Sequence, residues 1–431
     1  MTDRLIKILF VILYAFYTIV AVNTRLVEQI IPYGNFYVYF YIAALIILLL
    51  VFHYKPLVIR CKDISFKTFS LFTIYIFIFG IVTWLEGPEG DLVEEILAFS
   101  KFIMVAAVTV YFVKQFDMFS ELLFSSFVGG SALLVYEYAI AGFPLDIFSR
   151  LATFFSNVYA LRYRLVFNFN NPNTVGNIAA CMMIVYFVFL SWVRNYEEKS
   201  LGRTLKILIV TVLAVIDMIV LLSSGSRNSL VTLLIFFFAL FYFKVTDFKH
   251  ITKRQKGMLK AIIIALGIFI IYITVFDSAF EMFEASGRLR SFEVNIPLVL
   301  REGRFFEGLG LMNPGLFGRG RIGYIVDNYY LYVFIETGII GLIMISWLLI
   351  RLTKKVHELR IMNQPFYVML SSAFVSWLVS GMGETCVIYP YFASSLVFLI
   401  IFLSICDVSA ISQMPTNRAE NEFNIVGVNG V

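Results

Sequence analysis

Charge is scarce in this chain of 431 residues: Asp, Glu, Lys and Arg together make up 15%, where soluble domains carry about 25%. The 34 basic and 29 acidic side chains leave a formal charge of +5, spread along the sequence, which excludes the concentrated basic face of a nucleic-acid binder. Cysteine is scarce too. Cys61, Cys181, Cys386 and Cys406 stand far apart, which excludes a disulfide framework and the paired spacing of a zinc site. Histidine occurs only as His53, His250 and His357, so imidazole chemistry has three places to reside. There is no glycine-rich phosphate loop and no external DxD pair, and neither a metal nor a cofactor is expected.

What fills the chain instead is apolar. Hydrophobic residues make up 60%, with 46 Phe, 24 Tyr and 4 Trp, and the mean hydropathy is +0.86. A soluble core cannot hide that much apolar side chain, because even a large domain leaves much of its chain at the surface. The composition predicts an all-α polytopic membrane protein, with residues 1–406 as a single transmembrane domain and 407–431 as a mobile cytoplasmic tail. Runs of about 20 apolar residues cross the hydrocarbon layer. Twelve are read, at 5–22, 36–52, 66–84, 96–113, 119–140, 174–192, 206–222, 228–243, 259–276, 327–350, 366–381 and 388–405. Backbone amides in lipid must bond within their own segment, so each run is expected to be a helix. The first run lacks a small-residue cleavage pattern and is read as a retained helix.

Basic residues gather in alternate connections. Arg60, Lys62 and Lys67 follow the second run, Lys199, Arg203 and Lys206 the sixth, Lys253, Arg254 and Lys256 the eighth, and Lys354, Lys355 and Arg360 the tenth. Residues 85–95 hold Glu86, Glu89, Asp91, Glu94 and Glu95 and no base. The positive-inside rule then places both termini in the cytoplasm. Two external loops are long, 141–173 and 277–326, and loops of that length are functional or disordered. In the second, Phe305, Phe306, Leu309, Leu311 and Phe317 are interspersed among charges and glycines, which predicts a folded cap over the outer mouth of the bundle.

Candidate chemistry lies at that outer face. Arg227, in Ser226-Arg227-Asn228-Ser229, sits beside the expected N-terminus of a helix, where guanidinium and backbone N–H groups suit a phosphate; an arginine snorkelling to lipid phosphate is the other reading. Asn228 or Ser229 is the expected cap of that helix. In the large loop, Arg288 and Arg290 follow Ser286-Gly287, and Arg301 and Arg304 lie three apart, a spacing that shares one helical face. These four serve either a ligand or the acids of their own loop. In the other loop Arg162 and Arg164 precede Asn168, Asn170, Asn171, Pro172 and Asn173, asparagines that suit sugar hydroxyls as well as helix capping. Asp327-Asn328 opens the tenth run, where Asp327 is either an N-cap or an acceptor for a hydroxyl proton. Glu336 lies deeper, where a charge is costly unless paired or wet, followed by Gly338 and Gly341, which allow close helix packing. Glu384 in the last external turn is a further partner for an arginine. Together these positions suit a phosphate-bearing amphiphile whose hydrocarbon tail stays in the bilayer.

At Gly225-Ser226-Arg227, Ser286-Gly287-Arg288, the glycine-rich 308–323 stretch, and Asp327-Asn328-Tyr329-Tyr330-Leu331 leading to Glu336-Thr337-Gly338-Ile339-Ile340-Gly341-Leu342, the chain resembles the O-antigen ligase/O-antigen polymerase superfamily. The resemblance implies a bundle of about 12 transmembrane helices of the glycosyltransferase C type, in the bacterial inner membrane with its site facing outward. It implies a metal-independent transferase that uses undecaprenyl-pyrophosphate-linked oligosaccharide, beside a flippase and a chain-length regulator of the same pathway. Arg227 and Arg288 would hold the donor pyrophosphate and Asp327 would assist the attacking hydroxyl. Arg162, Arg164, Asn173, Arg290, Arg301, Arg304, Asn328, Glu336 and Glu384 would contact substrate. Ligases of this superfamily that act on lipid A-core usually carry a histidine where Asp327 stands. The three histidines here all fall on connections assigned to the cytoplasm, so the expectation is a polymerase of surface polysaccharide repeats rather than a ligase. A secondary transporter of an anionic solute is the rival class; no internal repeat supports it.

Overall fold

A computed structural model of the chain describes residues 2–22, 34–52, 64–85, 92–142, 169, 171–247, 252–271, 288–311, 326–361, 365–384, 386–390 and 392–405. These residues form thirteen helices, with no strand among them. In chain order they are α1 (Thr2–Val22), α2 (Gly34–Phe52), α3 (Ile64–Leu85), α4 (Leu92–Phe116), α5 (Phe119–Ile140), α6 (Pro172–Tyr196) and α7 (Leu201–Ser224). Then follow α8 (Arg227–Asp247), α9 (Lys253–Ile271), α10 (Arg288–Arg301), α11 (Tyr329–Ile361), α12 (Pro365–Ser380) and α13 (Ala393–Ile405).

Eight of them, α1, α3 to α8 and α11, are long and apolar enough to cross a membrane. The expected twelve are therefore not all matched by full-length spans. Helices α2, α12 and α13 are apolar but shorter. Helix α9 carries Lys253, Arg254, Lys256 and Lys260 in its first eight residues, and 272–276 of its expected run lie outside the described residues. The chain is an all-α, multi-pass membrane protein. Its outer surface agrees: Ile8, Leu50, Phe77, Trp84, Leu208 and Met258 are all exposed, side chains that water would not tolerate as a continuous belt.

Two helices make the centre. Helix α6 packs on α5, α7, α8, α12 and α13, and α13 packs on α1, α3, α4, α5, α6 and α12. Helix α13 is apolar all round and buried from Ser394 through Leu403, the state expected of such a helix when protein surrounds it. At 13 residues it is about 20 Å long, too short for the roughly 30 Å of hydrocarbon. The sequence had suggested a helix from 388. Residues 386–390 are instead irregular and buried, with Cys386, Val387, Ile388 and Tyr389 all inside. Non-helical backbone at this depth needs internal partners. Ser395 supplies them, its Oγ accepting from Tyr389 N at 2.7 Å and donating to Val387 O at 2.9 Å.

One end of the bundle is closed by charge. Lys7 on α1 pairs with Glu121 on α5 at 3.4 Å, Lys206 on α7 pairs with Glu197 after α6 at 3.2 Å, and Ser120 donates to the same Glu197. Lys114 on α4 donates to Ser65 on α3, which donates to Leu403 O of α13. These starts and ends are the ones expected on a common side. The long tail 407–431 and most of the loops 141–173 and 312–325 lie outside the described residues.

Candidate functional site

At the opposite end, the α7–α8 turn is built from small residues. Gly225 adopts a left-handed conformation (φ 58°) and ends α7, with its N–H on Leu222 O. The N-cap position of α8 is Ser226, not Asn228 or Ser229: Ser226 O accepts from Leu230 N, and its Oγ shares a 2.7 Å hydrogen bond with Ser229 Oγ. Ser224, Ser226 and Ser229 press on Gly176 of α6, where even a methyl group would come within 2.9 Å of all three. This close fit fixes the turn against the first turns of α6 and leaves Arg227 partly buried at the start of α8. Asn173 belongs to the same neighbourhood, on the first turn of α6, but the capping side chain there is Asn171, whose Oδ1 accepts from Asn173 N at 2.8 Å.

The 381–384 turn joins this region to α11. Gly383 lies against the Asn228 side chain. Met382 O accepts from Asn328 Nδ2 at 2.9 Å, and Gly381 O accepts from Tyr329 N at 2.8 Å. Glu384 is buried at the end of the same turn. Arg227, Asn228, Asp327, Asn328 and Glu384 are thus gathered around four residues at one end of the bundle. The cap of α11 is Asn328, whose Oδ1 accepts from Leu331 N at 3.0 Å, so Asp327 is not needed for capping and stands just outside the helix, partly buried.

Glu336 lies seven residues past the start of α11, about 10 Å along the helix from it. It is 1% exposed and its Oε1 accepts from the Tyr332 hydroxyl. Two residues further on, α11 breaks. Gly338 sits at φ 60° and ψ −161°, a region open to glycine alone, so the two glycines expected to aid packing differ in role. The groups freed by the break find partners in residues 305–311, a strap that follows α10. Leu309 N donates to Ile335 O and Gly310 N to Glu336 O, both at 2.8 Å. Ile339 N donates to Phe305 O at 2.9 Å and Ile340 N to Phe306 O at 3.2 Å. The strap then reaches α3, where Leu311 N donates to Thr83 Oγ1 at 2.6 Å. The fit is backbone on backbone. A Cβ at Gly308 would lie 2.4 Å from the Thr337 and Gly338 nitrogens, and one at Gly338 would lie 2.4 Å from Phe306 O.

Helix α10 rests on α11, with Val299 joining Leu309, Val326, Leu331, Tyr332, Ile335 and Tyr389 in a small separate core. Of the cap expected over 277–326, residues 288–311 are described, as α10 and the strap against α11; 277–287 and 312–325 lie outside the described residues. Arg290 and Arg301 are exposed on α10. Arg301 and Arg304 do not share a helical face, because α10 ends at Arg301 and Gly303 turns the chain at φ 69°. Arg304 pairs with Glu307 at 2.9 Å, as a loop base paired to a loop acid. Arg288 opens α10; its side chain, like the whole of Arg162 and Arg164, lies outside the described residues.

Two features were missed in the sequence. Asp217, fully buried in α7, accepts from Ser131 Oγ of α5 at 2.5 Å. It is the one acid in the apolar run 206–222, a signal that an intramembrane charge always carries. The second is an open groove of about 560 Å³ between α3 and α4, lined by Ile76, Phe77, Gly80, Ile81, Trp84 and Met104. Trp84 is the neighbour of Thr83, which anchors the strap. No group of three or more metal-ligating side chains occurs among the described residues. Compared with protein-family models and with curated proteins, the chain matches none.

Proposed function

We propose that the protein is a glycosyltransferase of the O-antigen ligase/polymerase type, with twelve spans, cytoplasmic termini and an outward-facing site that joins polyprenyl-pyrophosphate-linked oligosaccharide repeats. The observation that carries this reading is the gathering of Arg227, Asn228, Asn328 and Glu384 around the 381–384 turn, with α10 packed on α11. An arginine at a helix N-terminus beside amide and carboxylate groups suits a pyrophosphate and the sugar next to it. The apolar α3–α4 groove suits the hydrocarbon tail, because it opens on the lipid-facing side and ends beside the strap.

In the reaction, a hydroxyl of one repeat attacks the anomeric carbon of the other chain, and polyprenyl pyrophosphate leaves with the bonding electrons. Arg227 and Arg288 accelerate the step by holding the departing pyrophosphate more tightly than the bound donor. A carboxylate of α11 takes the hydroxyl proton. A flippase supplying the lipid-linked repeats and a chain-length regulator are the partners this chemistry calls for.

The test uses purified protein and the lipid-linked oligosaccharide that accumulates in cells deleted for the chain. A ladder of products is expected, and Arg227→Ala or Arg288→Ala lowers its rate by roughly 100-fold or more, the size seen for a lost transition-state donor. Ladders unchanged by both substitutions remove the mechanism. Single transfer to a non-lipid-linked acceptor, without extension, marks a ligase. Transport of an anionic solute is the second reading, favoured by the broken α11, since transporters place unwound helices at their sites. Counterflow of a labelled sugar phosphate into proteoliposomes, with no new glycosidic bond, would establish it.

A further inference from the structure

The end of the bundle that is closed by charge is not balanced everywhere. Around α1, α5 and α7 its bases meet acids, Lys7 with Glu121 and Lys206 with Glu197. Where α8 and α11 end and α9 begins, acids run short. Residues 244–260 and 351–360 hold ten Lys and Arg against two acids, Asp247 and Glu358, a formal +8 (10 − 2) where the whole chain carries +5. Glu358 already pairs with Lys355, at 2.9 Å. The three helix ends lie together. Helix α9 packs on α8, Lys260 of α9 sits over the Tyr242 ring of α8 at 5.3 Å, and the Arg360 guanidinium of α11 sits over the Phe243 ring of α8 at 4.8 Å.

The start of α9 adds to the demand for an anion. Thr252 and Gln255 cap it reciprocally, Thr252 N donating to Gln255 Oε1 at 3.1 Å and Gln255 N to Thr252 Oγ1 at 3.3 Å. The first turn behind that cap holds Lys253, Arg254 and Lys256 and no acid, so three positive charges stand at the positive end of the helix dipole.

These charges continue exposed apolar stripes. On α11, exposed Ile343, Trp347 and Ile350 share a face that runs on into Arg351 and exposed Lys354, with the Arg351 guanidinium over the Trp347 ring at 4.2 Å. On α8, exposed Phe237 and Phe241 lead to exposed Lys244. Helix α9 shows the same order reversed, exposed Lys253 and Arg254 and then exposed Met258 and Ile262. From Ile343 to Lys354 the α11 stripe covers about 16 Å, half of the roughly 30 Å hydrocarbon layer. An acidic protein resting on the helix tips would meet Lys354 but not Arg351 and Trp347 on the lipid-facing flank. A phospholipid meets both, its phosphate against the bases and its chains against the stripe.

We infer that this corner is a binding site for anionic phospholipids, with phosphates held by Lys244, Lys253, Arg254, Arg351 and Lys354 and acyl chains laid along the exposed faces of α8, α9 and α11. The bound phosphates relieve the repulsion among three positively charged helix ends. The site lies at the far ends of α8 and α11 from the 381–384 turn, so it holds for a transferase and for a transporter alike.

The test uses the full-length protein in phosphatidylcholine vesicles doped with spin-labelled phosphatidylglycerol or spin-labelled phosphatidylcholine, and reads the motionally restricted lipid by electron spin resonance. Wild type should associate with the phosphatidylglycerol label at least threefold more strongly than with the phosphatidylcholine label, since each base near the surface is worth about fivefold toward an anionic lipid. The preference should disappear in about 1 M salt. Combining Lys244→Gln, Arg351→Gln and Lys354→Gln should reduce it to less than half. Combining Arg4→Gln, Arg194→Gln and Lys199→Gln, an equal loss of exposed charge at the same end on α1, α6 and the α6–α7 connection, should leave it unchanged. Equal association of wild type with the two labels overturns the site, and so does a preference that survives the salt. A preference that falls equally in both triple variants also overturns it, because it then belongs to the surface charge in general. If wild type shows no lipid preference but binds polyglutamate in detergent, the corner serves an acidic protein instead.

Discussion

The two ends of the bundle are closed by different means. At one end, helix termini are tied by side-chain charge, Lys7 to Glu121 and Lys206 to Glu197, with Ser65 and Ser120 filling in. At the other end, the ties run from backbone to backbone and from backbone to amide: the strap into the α11 break, Tyr329 N onto Gly381 O, Asn328 onto Met382 O. Charge that pairs with charge has finished its work in the folded protein. An end held by backbone and glycine tolerates irregular chain only because protein covers it. The difference lies in what each end depends on. Exposed ion pairs hold little energy and break without consequence, while the strap's contacts are cooperative and depend on residues that have no side chain.

The largest test of that contrast is Gly338→Ala. The new methyl would lie 2.4 Å from Phe306 O, and the backbone there is in a region that costs of order 1–3 kcal/mol for other residues. Alanine also favours a continuous helix, so the break should heal and the strap should come off. Hydrogen exchange should speed up by at least tenfold at the Leu309 and Gly310 amides, whose acceptors are Ile335 O and Glu336 O, while the amides of α6 stay as slow as before. Equal protection of the strap in both proteins would show that the break does not hold it.

How much of this was legible in the sequence follows the same divide. The helices were readable because long apolar runs have one solution in lipid, and each of the twelve runs overlaps a helix among the described residues, though eight of these helices are long and apolar enough to span and 388–392 of the last run lies before its helix. The α12–α13 connection was misread because Val387, Ile388 and Tyr389 are apolar and continue a hydropathic run, while the chain there is held irregular by Ser395, six to eight residues further on. The α11 break was invisible for a related reason. Gly338 reads as a packing glycine, and its conformation is set by a strap about 30 residues upstream. The arginine at 227, the acids at 327, 336 and 384 and the amide at 328 were found by residue type, but which asparagine or serine caps a helix is decided by geometry that spacing does not carry. Asp217, the one acid in the apolar run 206–222, is a signal the sequence carries in plain sight.

Asp217 gives the intermediate test. Its Oδ1 has no hydrogen-bond partner among the described residues, and Oδ2 has Ser131. Ser131→Ala should therefore destabilise the protein by about 1–3 kcal/mol, the cost of a buried acceptor losing its donor, read as a lower midpoint in thermal unfolding. Asp217→Asn keeps a hydrogen-bonding group at the site and should retain glycan transfer within a few-fold. Loss of transfer by Asp217→Asn at unchanged stability would move the chemistry into the membrane interior and away from the outer end.

The smallest effect is expected at the end tied by charge. Lys7 is 42% exposed and Glu121 13%, and their 3.4 Å separation is ordinary for a surface ion pair. Pairs of this kind are worth roughly 0.2–1 kcal/mol, less at high salt, because water screens both partners. A double-mutant cycle of Lys7→Ala and Glu121→Gln should return a coupling energy within that range and leave transfer rates at wild-type levels. A larger coupling, or a change in rate from either substitution, would mean that this end communicates with the opposite one. The central helices would have to carry it, since α13 touches α1 and α5 beside the ion pair and continues from the buried segment that packs Tyr389 against Tyr332. A null result would confine the working part of the molecule to the strap, the α11 break and the turns at 225–229 and 381–384.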